Sequence, residues 1–213
     1  MTNIHKVKCG NVNCYIVENG DNAVLVDTSQ IKYREKILSA CKPYNIRLIV
    51  LTHGHFDHSQ NAAYLSEKLN APIAMHKDDF KLIPDNMTQA LYAHTFLGKI
   101  VLFASIKGFN KDKFPEFKPL FFLKDGDSLE SYGIPAKIIG LAGHTNGSIG
   151  IDIEEKYFIV GDALMNMFYP TVSMLYHNKS KMLESAEKIS NIGERTIFFG
   201  HGKPKHNKQW VQK

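Results

Sequence analysis

A chain of 213 residues, 44% hydrophobic and 22% charged, has the composition of an ordinary soluble globular protein and excludes a disordered one. At this length roughly 70% of the unfolded surface can be buried, so a core forms without covalent staples. With 26 basic and 21 acidic residues the net charge is +5. No long basic run occurs, which argues against a dedicated nucleic-acid arm.

The opening stretch, MTNIHKVKCGNVNCYIV, lacks an apolar run, so no signal peptide is expected. Cys9, Cys14 and Cys41 cannot all pair with one another, and a reducing, cytoplasmic setting is expected. Val12 to Val17 and Ala23 to Val26 read as short strands around a hairpin-like turn, Glu18 to Asn22. Tyr33 to Cys41 has helical spacing, and Ile46 to Leu51 is the near-continuous apolar run of a strand covered on both faces. A histidine-rich loop follows, then a helix from Asn61 to Leu69 and a short apolar run, Ile73 to Met75. In the second half, Ala136 to Leu141, Ser148 to Ile153 and Tyr157 to Val160 read as strands. Ser180 to Ile189 is an amphipathic helix, and Thr196 to Phe199 closes as a buried strand. Strands and helices alternate in both halves, which predicts an α/β fold with buried sheets.

The least regular stretch is 85–119. Leu91 to Phe109 is apolar and aromatic but interrupted by His94, Gly98, Lys99 and Lys107, a poor membrane span. Two readings stand: a pair of helices packed over the body, or a lid or homodimer contact bordering the active site.

Ten histidines stand out, and they are grouped. Residues 52 to 58 read Thr52-His53-Gly54-His55-Phe56-Asp57-His58 directly after a buried strand. On an extended segment His53 and His55 point the same way and can converge on one cation. A turn at Phe56 then aims Asp57 and His58 at a second. Three later positions have the same character: His144 after Leu141-Ala142-Gly143, Asp162 after Phe158-Ile159-Val160-Gly161, and His201 after Phe198-Phe199-Gly200. Each follows an apolar strand, where rigid scaffold holds the ligand and the adjacent glycine admits close backbone approach.

The pattern H-x-H-x-D-H followed by a distant His, Asp and final His resembles the signature of the metallo-β-lactamase-fold hydrolase superfamily. The resemblance spans essentially residues 1–213, read as one metallo-hydrolase domain. It implies a four-layer αββα sandwich with metals at one edge of the sheets. Carried over residue by residue, His53, His55 and His144 would hold one metal, Asp57, His58 and His201 a second, and Asp162 would bridge them. Imidazole and carboxylate donors without thiolate suit zinc, and also iron or manganese. Two such cations can share and acidify a hydroxide that attacks an ester-like bond. Asp57 is placed to orient that hydroxide and carry its proton to the leaving group.

Within the superfamily, Asp162 disfavours a true β-lactamase, and the Thr52-His53 and Gly161-Asp162-Ala163-Leu164 contexts are most similar to glyoxalase II-like hydrolases. The chain runs only twelve residues past His201, so the helical extension of glyoxalase II proper is not expected. A thioester or lactone of a small, anionic or carbonyl-containing molecule is the expected substrate, without nucleic acid or membrane as partner. The Met- and aromatic-rich segment Ala163 to His177 is either core packing or pocket wall. In it Tyr169, Tyr176 and His177 are candidate substrate contacts. Two alternatives remain: a mononuclear non-haem iron oxygenase of the persulfide dioxygenase type, and a phosphodiesterase or RNA-processing hydrolase of the same fold.

Overall fold

The computed structural model describes residues 1–109 and 116–211. In chain order, the first part holds β1 (Thr2–Cys9), β2 (Val12–Asn19), β3 (Asn22–Val26), α1 (Arg34–Cys41) and β4 (Ile46–Val50). There follow α2 (Phe56–Ser59), α3 (Ala62–Leu69), β5 (Ile73–His76), α4 (Phe96–Phe109) and β6 (Phe121–Leu123). The second part holds β7 (Ala136–Gly140), β8 (Ile149–Ile153), β9 (Tyr157–Ile159), β10 (Leu164–Met165) and β11 (Thr171–Val172). It closes with α5 (Lys179–Asn191), β12 (Thr196–Phe198) and β13 (Lys205–His206).

One sheet runs in the order β1-β2-β3-β4-β5-β6, antiparallel up to β3 and parallel beyond it. The other runs β13-β12-β9-β8-β7, with β12 and β9 parallel. Period-two alternation divides each strand's residues between two cores. Leu48 and Val50 of β4 join Tyr15, Val24 and Val26 against Ile138, Ile149, Ile151 and Ile153 of the second sheet. Ile49, beside Leu51, faces the other way, where Ile16, Leu25, Ile37 of α1 and Leu65 of α3 bury it. On the far side of the second sheet, Phe158, Ile197 and Phe199 pack on Ala186 and Ile189 of α5, with Trp210 closing the end. Helices, sheet, sheet and helix make four layers, the expected αββα sandwich.

The run from Ile46 reads as strand because both its faces are covered. α5 forms where the 3.6-residue spacing put it: Met182, Ala186 and Ile189 are buried, and the Asn178 side chain accepts a hydrogen bond from the Lys181 amide (3.1 Å) as N-cap. Strands β1, β6, β10, β11 and β13 were not read from the sequence. β1 was not expected, because Lys6 and Lys8 interrupt its apolar character. It forms because Val7 and Cys9, alternating with them, bury against the helix layer while the whole strand pairs with β2. Among the described residues, 85–119 holds a short 3₁₀ helix (Asn86–Thr88) and one α-helix, α4; 110–115 lie outside them. The chain before α4 runs extended, and Tyr92 exchanges backbone hydrogen bonds with Tyr176 (2.8 and 3.0 Å). Among the described residues no helix is long and apolar enough to cross a membrane.

Gly150 sits where β8 passes beneath the Phe158 ring, and a methyl group there would stand 2.6 Å from that ring and 2.9 Å from the Ile159 carbonyl. Gly150→Ala is therefore expected to lower stability by about 1–3 kcal/mol through overpacking. A denaturation midpoint equal to that of the parent protein would contradict this.

Candidate metal centre

The strands β4, β7, β9 and β12 deliver the motif residues to one edge of the sandwich. His53 follows β4, His144 follows β7, Asp162 follows β9 and His201 follows β12. Backbone hydrogen bonds lock these turns together: Gly200 donates to the Gly161 carbonyl (2.8 Å) and Ile149 to the Thr52 carbonyl (2.9 Å). Gly200 must lack a side chain, since one there would collide with the Asp162 carboxylate and the His58 ring. α2, a single turn from Phe56 to Ser59, carries Asp57 and His58.

Three groups of side chains converge: His53, His55 and His144; His53, His58 and Asp162; and Asp57, His58 and His201. Within each, the ligand atoms lie within 4.8 Å of one another. Asp162 stands between the first and third groups, 3.8 Å from His144 Nε2, 3.6 Å from His58 Nε2 and 3.2 Å from His201 Nε2. The structure thus brings together all seven positions singled out in the sequence. Asp57 is the most open of them, its side chain 21% exposed against 0% for His58.

The rings are aimed from behind. His58 Nδ1–H donates to Asp27 Oδ2 (2.8 Å), His144 Nδ1–H to the Leu175 carbonyl (2.8 Å), and His201 Nδ1–H to the Asn11 carbonyl (2.8 Å). Each bond fixes the orientation of its ring and turns Nε2 toward the cluster, where His144 Nε2 meets His55 Nδ1 (2.9 Å). Asp27 also accepts from the Thr52 amide and hydroxyl (2.8 and 2.9 Å), tying its strand to the His53 loop.

A second buried carboxylate, Asp79, joins the two histidine loops. It accepts from the Gly54 amide (3.0 Å), the Thr145 hydroxyl (2.6 Å), the Gly147 amide (2.7 Å) and the Gln89 side chain (3.1 Å). Sequence reasoning missed Asp27, Asp79 and Asn11 as site residues. In Lys77-Asp78-Asp79, nothing local distinguishes the buried aspartate from its exposed neighbour.

Divalent cations fit this donor set. His53 Nε2, His58 Nε2 and Asp162 Oδ1 are buried without a hydrogen-bond partner among the described residues, a costly arrangement unless a cation completes it. The donors are nitrogen and oxygen only. In the protein alone, burial and neighbouring imidazoles hold His53 and His55 well below the usual histidine range. Burial acts in the same direction on His58, but Asp162, Asp57 and Asp27 outweigh it and push that ring up to about 10. His201 is raised likewise, its burial outweighed by Asp162. Burial would raise Asp162, yet His201 and His58 hold it well below the carboxylate range.

A cavity of about 330 Å³ opens onto the cluster, lined by His55, Asp57, His144, Asp162 and His201. Its apolar wall comes from Ile100, Val101 and Ala104 of α4, with Met165, Met167 and Phe168. Part of the 85–119 stretch thus lines the cavity through α4. Of the candidate substrate contacts, none lines this cavity. Tyr169 is exposed and lines a neighbouring groove, Tyr176 packs on Tyr92 and His94, and His177 Nδ1–H donates to the Ala90 carbonyl (2.9 Å).

A family model for the metallo-beta-lactamase superfamily matches residues 7–201, and the chain belongs to that superfamily. Two relatives at 30% identity are longer. The chain spans 65% of one from Aquifex aeolicus (156 residues, 72% of this chain) and 70% of a probable metallo-hydrolase of Methanocaldococcus jannaschii (164 residues, 74% of this chain). It is 27% identical over 217 residues to a hydroxyacylglutathione hydrolase of Pelagibacter ubique, covering 97% of this chain and 74% of that one. A protein crystallised in a di-iron-bound form shares the fold, with a TM-score of 0.70 at 21% identity, covering 97% of this chain and 100% of that one. Membership and the His/Asp cluster together support divalent-cation binding and, at the coarse level, metal-dependent hydrolysis.

Two outcomes are expected. Because neighbouring carboxylates keep His58 protonated at neutral pH, cation uptake must displace that proton. Binding should release a proton and weaken as pH falls. Calorimetry in buffers of differing ionisation enthalpy measures this, and proton-neutral uptake would contradict it. Asp79→Ala strands two buried amides and should cost at least about 2 kcal/mol of stability. It should also weaken metal retention roughly 10- to 100-fold. Dialysis against a chelator reads the second effect.

Proposed function

We propose that this protein is a dinuclear metal-dependent hydrolase acting on an ester-like acyl bond, a thioester or lactone, of a small molecule. The observation that carries the reading is the meeting of two ligand trios at Asp162. His53, His55 and His144 would hold one cation, Asp57, His58 and His201 the other, with Asp162 between them. Zinc is the expected metal, with iron or manganese equally compatible with the donors. Such cations supply Lewis acidity and a water acidified to a pKa of about 7.

The residues of the chain do the rest. The Nδ1–H bonds of His58, His144 and His201 hold the imidazoles rigid, so no reorganisation accompanies charge development. Asp57 faces the cavity and lies 3.6 Å from His201 Nε2 and 3.9 Å from His58 Nε2. There it orients the attacking water and passes its proton to the leaving atom. The α4 wall excludes water and accepts a compact acyl group. A cavity of about 330 Å³ is at the small end of ligand pockets, which supports a metabolite rather than a polymer. Similarity to a hydroxyacylglutathione hydrolase supports thioesters ahead of lactones. Three buried free thiols support a reducing, cytoplasmic setting.

The grouping of His53, His58 and Asp162 favours a second reading. Two imidazoles and one carboxylate are the donor set of mononuclear non-haem iron oxygenases.

One experiment separates these readings: metal-quantified protein is assayed against thioesters, lactones, phosphodiesters and β-lactams. About two cations per chain with thioester or lactone turnover is expected. One iron per chain, or phosphodiester turnover alone, would overturn the proposal. Asp57→Ala, assayed alongside, should fold normally and lose about 10²- to 10⁴-fold in turnover. Full activity with full metal content would remove Asp57 from its role.

A further inference from the structure

β1 and β13 are the outermost strands at matching edges of the two sheets. Between them lies a groove of about 750 Å³ with four exposed lysines on its walls: Lys6 and Lys8 from β1, and Lys203 and Lys205 from the segment after His201. Lys6 and Lys8 are two residues apart, so they share a strand face. Their cross-strand partners Tyr15 and Asn13 reach over to the Phe199 and Gly202 carbonyls, so that face is turned toward the second sheet. Among the described residues, no carboxylate lines the groove.

Edge strands often carry lysine simply to prevent pairing with other chains. That role does not require lysines from both sheets to surround one depression, where like charges repel until a counter-charge arrives. The groove also has a rigid floor. Asn13 donates to the Phe199 and Gly202 carbonyls (3.0 and 2.8 Å), and Asn166 to the Lys203 carbonyl (2.7 Å). The groove is continuous with the metal cavity, because Asn11, Met167 and Phe168 line both. Asn11 is the residue whose carbonyl holds His201, so the inner end of the groove lies one hydrogen bond from the ligand set.

We propose that this groove binds the leaving group of the substrate, and that the leaving group carries two or more anionic groups. The proposal rests on the hydrolase reading above and names its substrate class. The acyl part sits in the metal cavity, and water adds to its carbonyl carbon. The C–S or C–O bond then breaks, and the leaving thiol or alcohol takes the proton. Phosphates and carboxylates both suit lysine, which acts as a mobile point charge rather than a planar fork.

The test measures binding apart from turnover. Two unreactive probes, desulfo-coenzyme A with phosphates and S-methylglutathione with carboxylates, are titrated into the metal-loaded protein by calorimetry at low and high salt. One or both should bind, more weakly at high salt, and the stronger identifies the anionic group. Lys6→Glu with Lys205→Glu should weaken that binding on the order of tenfold, with Lys6→Gln and Lys205→Gln intermediate. The preference in kcat/KM for an anionic over a neutral thioester should shrink in parallel. Unchanged melting temperatures exclude misfolding, since both lysines are exposed. Failure of both probes to bind, equal binding by the variants, or lysine-dependent binding of an RNA oligonucleotide alone would overturn the proposal. Probe binding without turnover of any ester would leave the groove standing and remove the hydrolase reading instead.

Discussion

The structure depends on burying five imidazoles and a carboxylate at one edge of a sheet sandwich. Polar groups removed from water cost several kcal/mol each unless partnered. The protein meets this from behind: Asp27, Leu175 and Asn11 take the Nδ1 protons of His58, His144 and His201. Those bonds turn the Nε2 atoms inward, so the arrangement is directional as well as buried. The rest of the local architecture serves the same end. Asp27 fastens the His53 loop, Asp79 ties that loop to the one bearing His144, and the β1–β2 hairpin reaches the carbonyls beside His201.

The donors come from strands of both sheets and from sequence positions as distant as His53 and His201. A cation held by them therefore joins the two halves of the sandwich, and its affinity becomes part of the folding free energy. The coupling acts through charge as well. Asp162, Asp57 and Asp27 keep the proton on His58 until a cation replaces it. Metal and proton thus compete for one set of lone pairs.

Much of this was legible in the sequence because its signals are local. The heptad Thr52 to His58 holds four donors within a few residues, and the apolar runs ending near His144, Asp162 and His201 mark strands. What stayed hidden depends on neighbours far along the chain. Asp79 matters only because Gly54, Thr145 and Gly147 fold around it, and Asn11 acts through its backbone carbonyl, which no side-chain pattern reports. β1 was concealed by the lysines that line the groove. Tyr169, Tyr176 and His177 looked like pocket residues because they follow a ligand in sequence. The β10–β11 excursion puts Tyr169 on the lysine groove, while Tyr176 packs on Tyr92 and His94 and His177 bonds the Ala90 carbonyl; the cavity wall is made by Met165, Met167, Phe168 and α4.

The three thiols sit in the layer between the first sheet and its helices, and none belongs to a donor group. Burial pushes Cys14 well above the usual thiol range and Cys41 up to about 12, so neither presents a thiolate while that layer stays closed. Alkylation of Cys14 and Cys41 consequently becomes a clock for the parting of helices from sheet, set by breathing of the scaffold rather than by chemistry at the histidine-rich edge. One molecule thus carries two separately addressable reporters, a chelator reading the cleft and an alkylating reagent reading the frame that supports it.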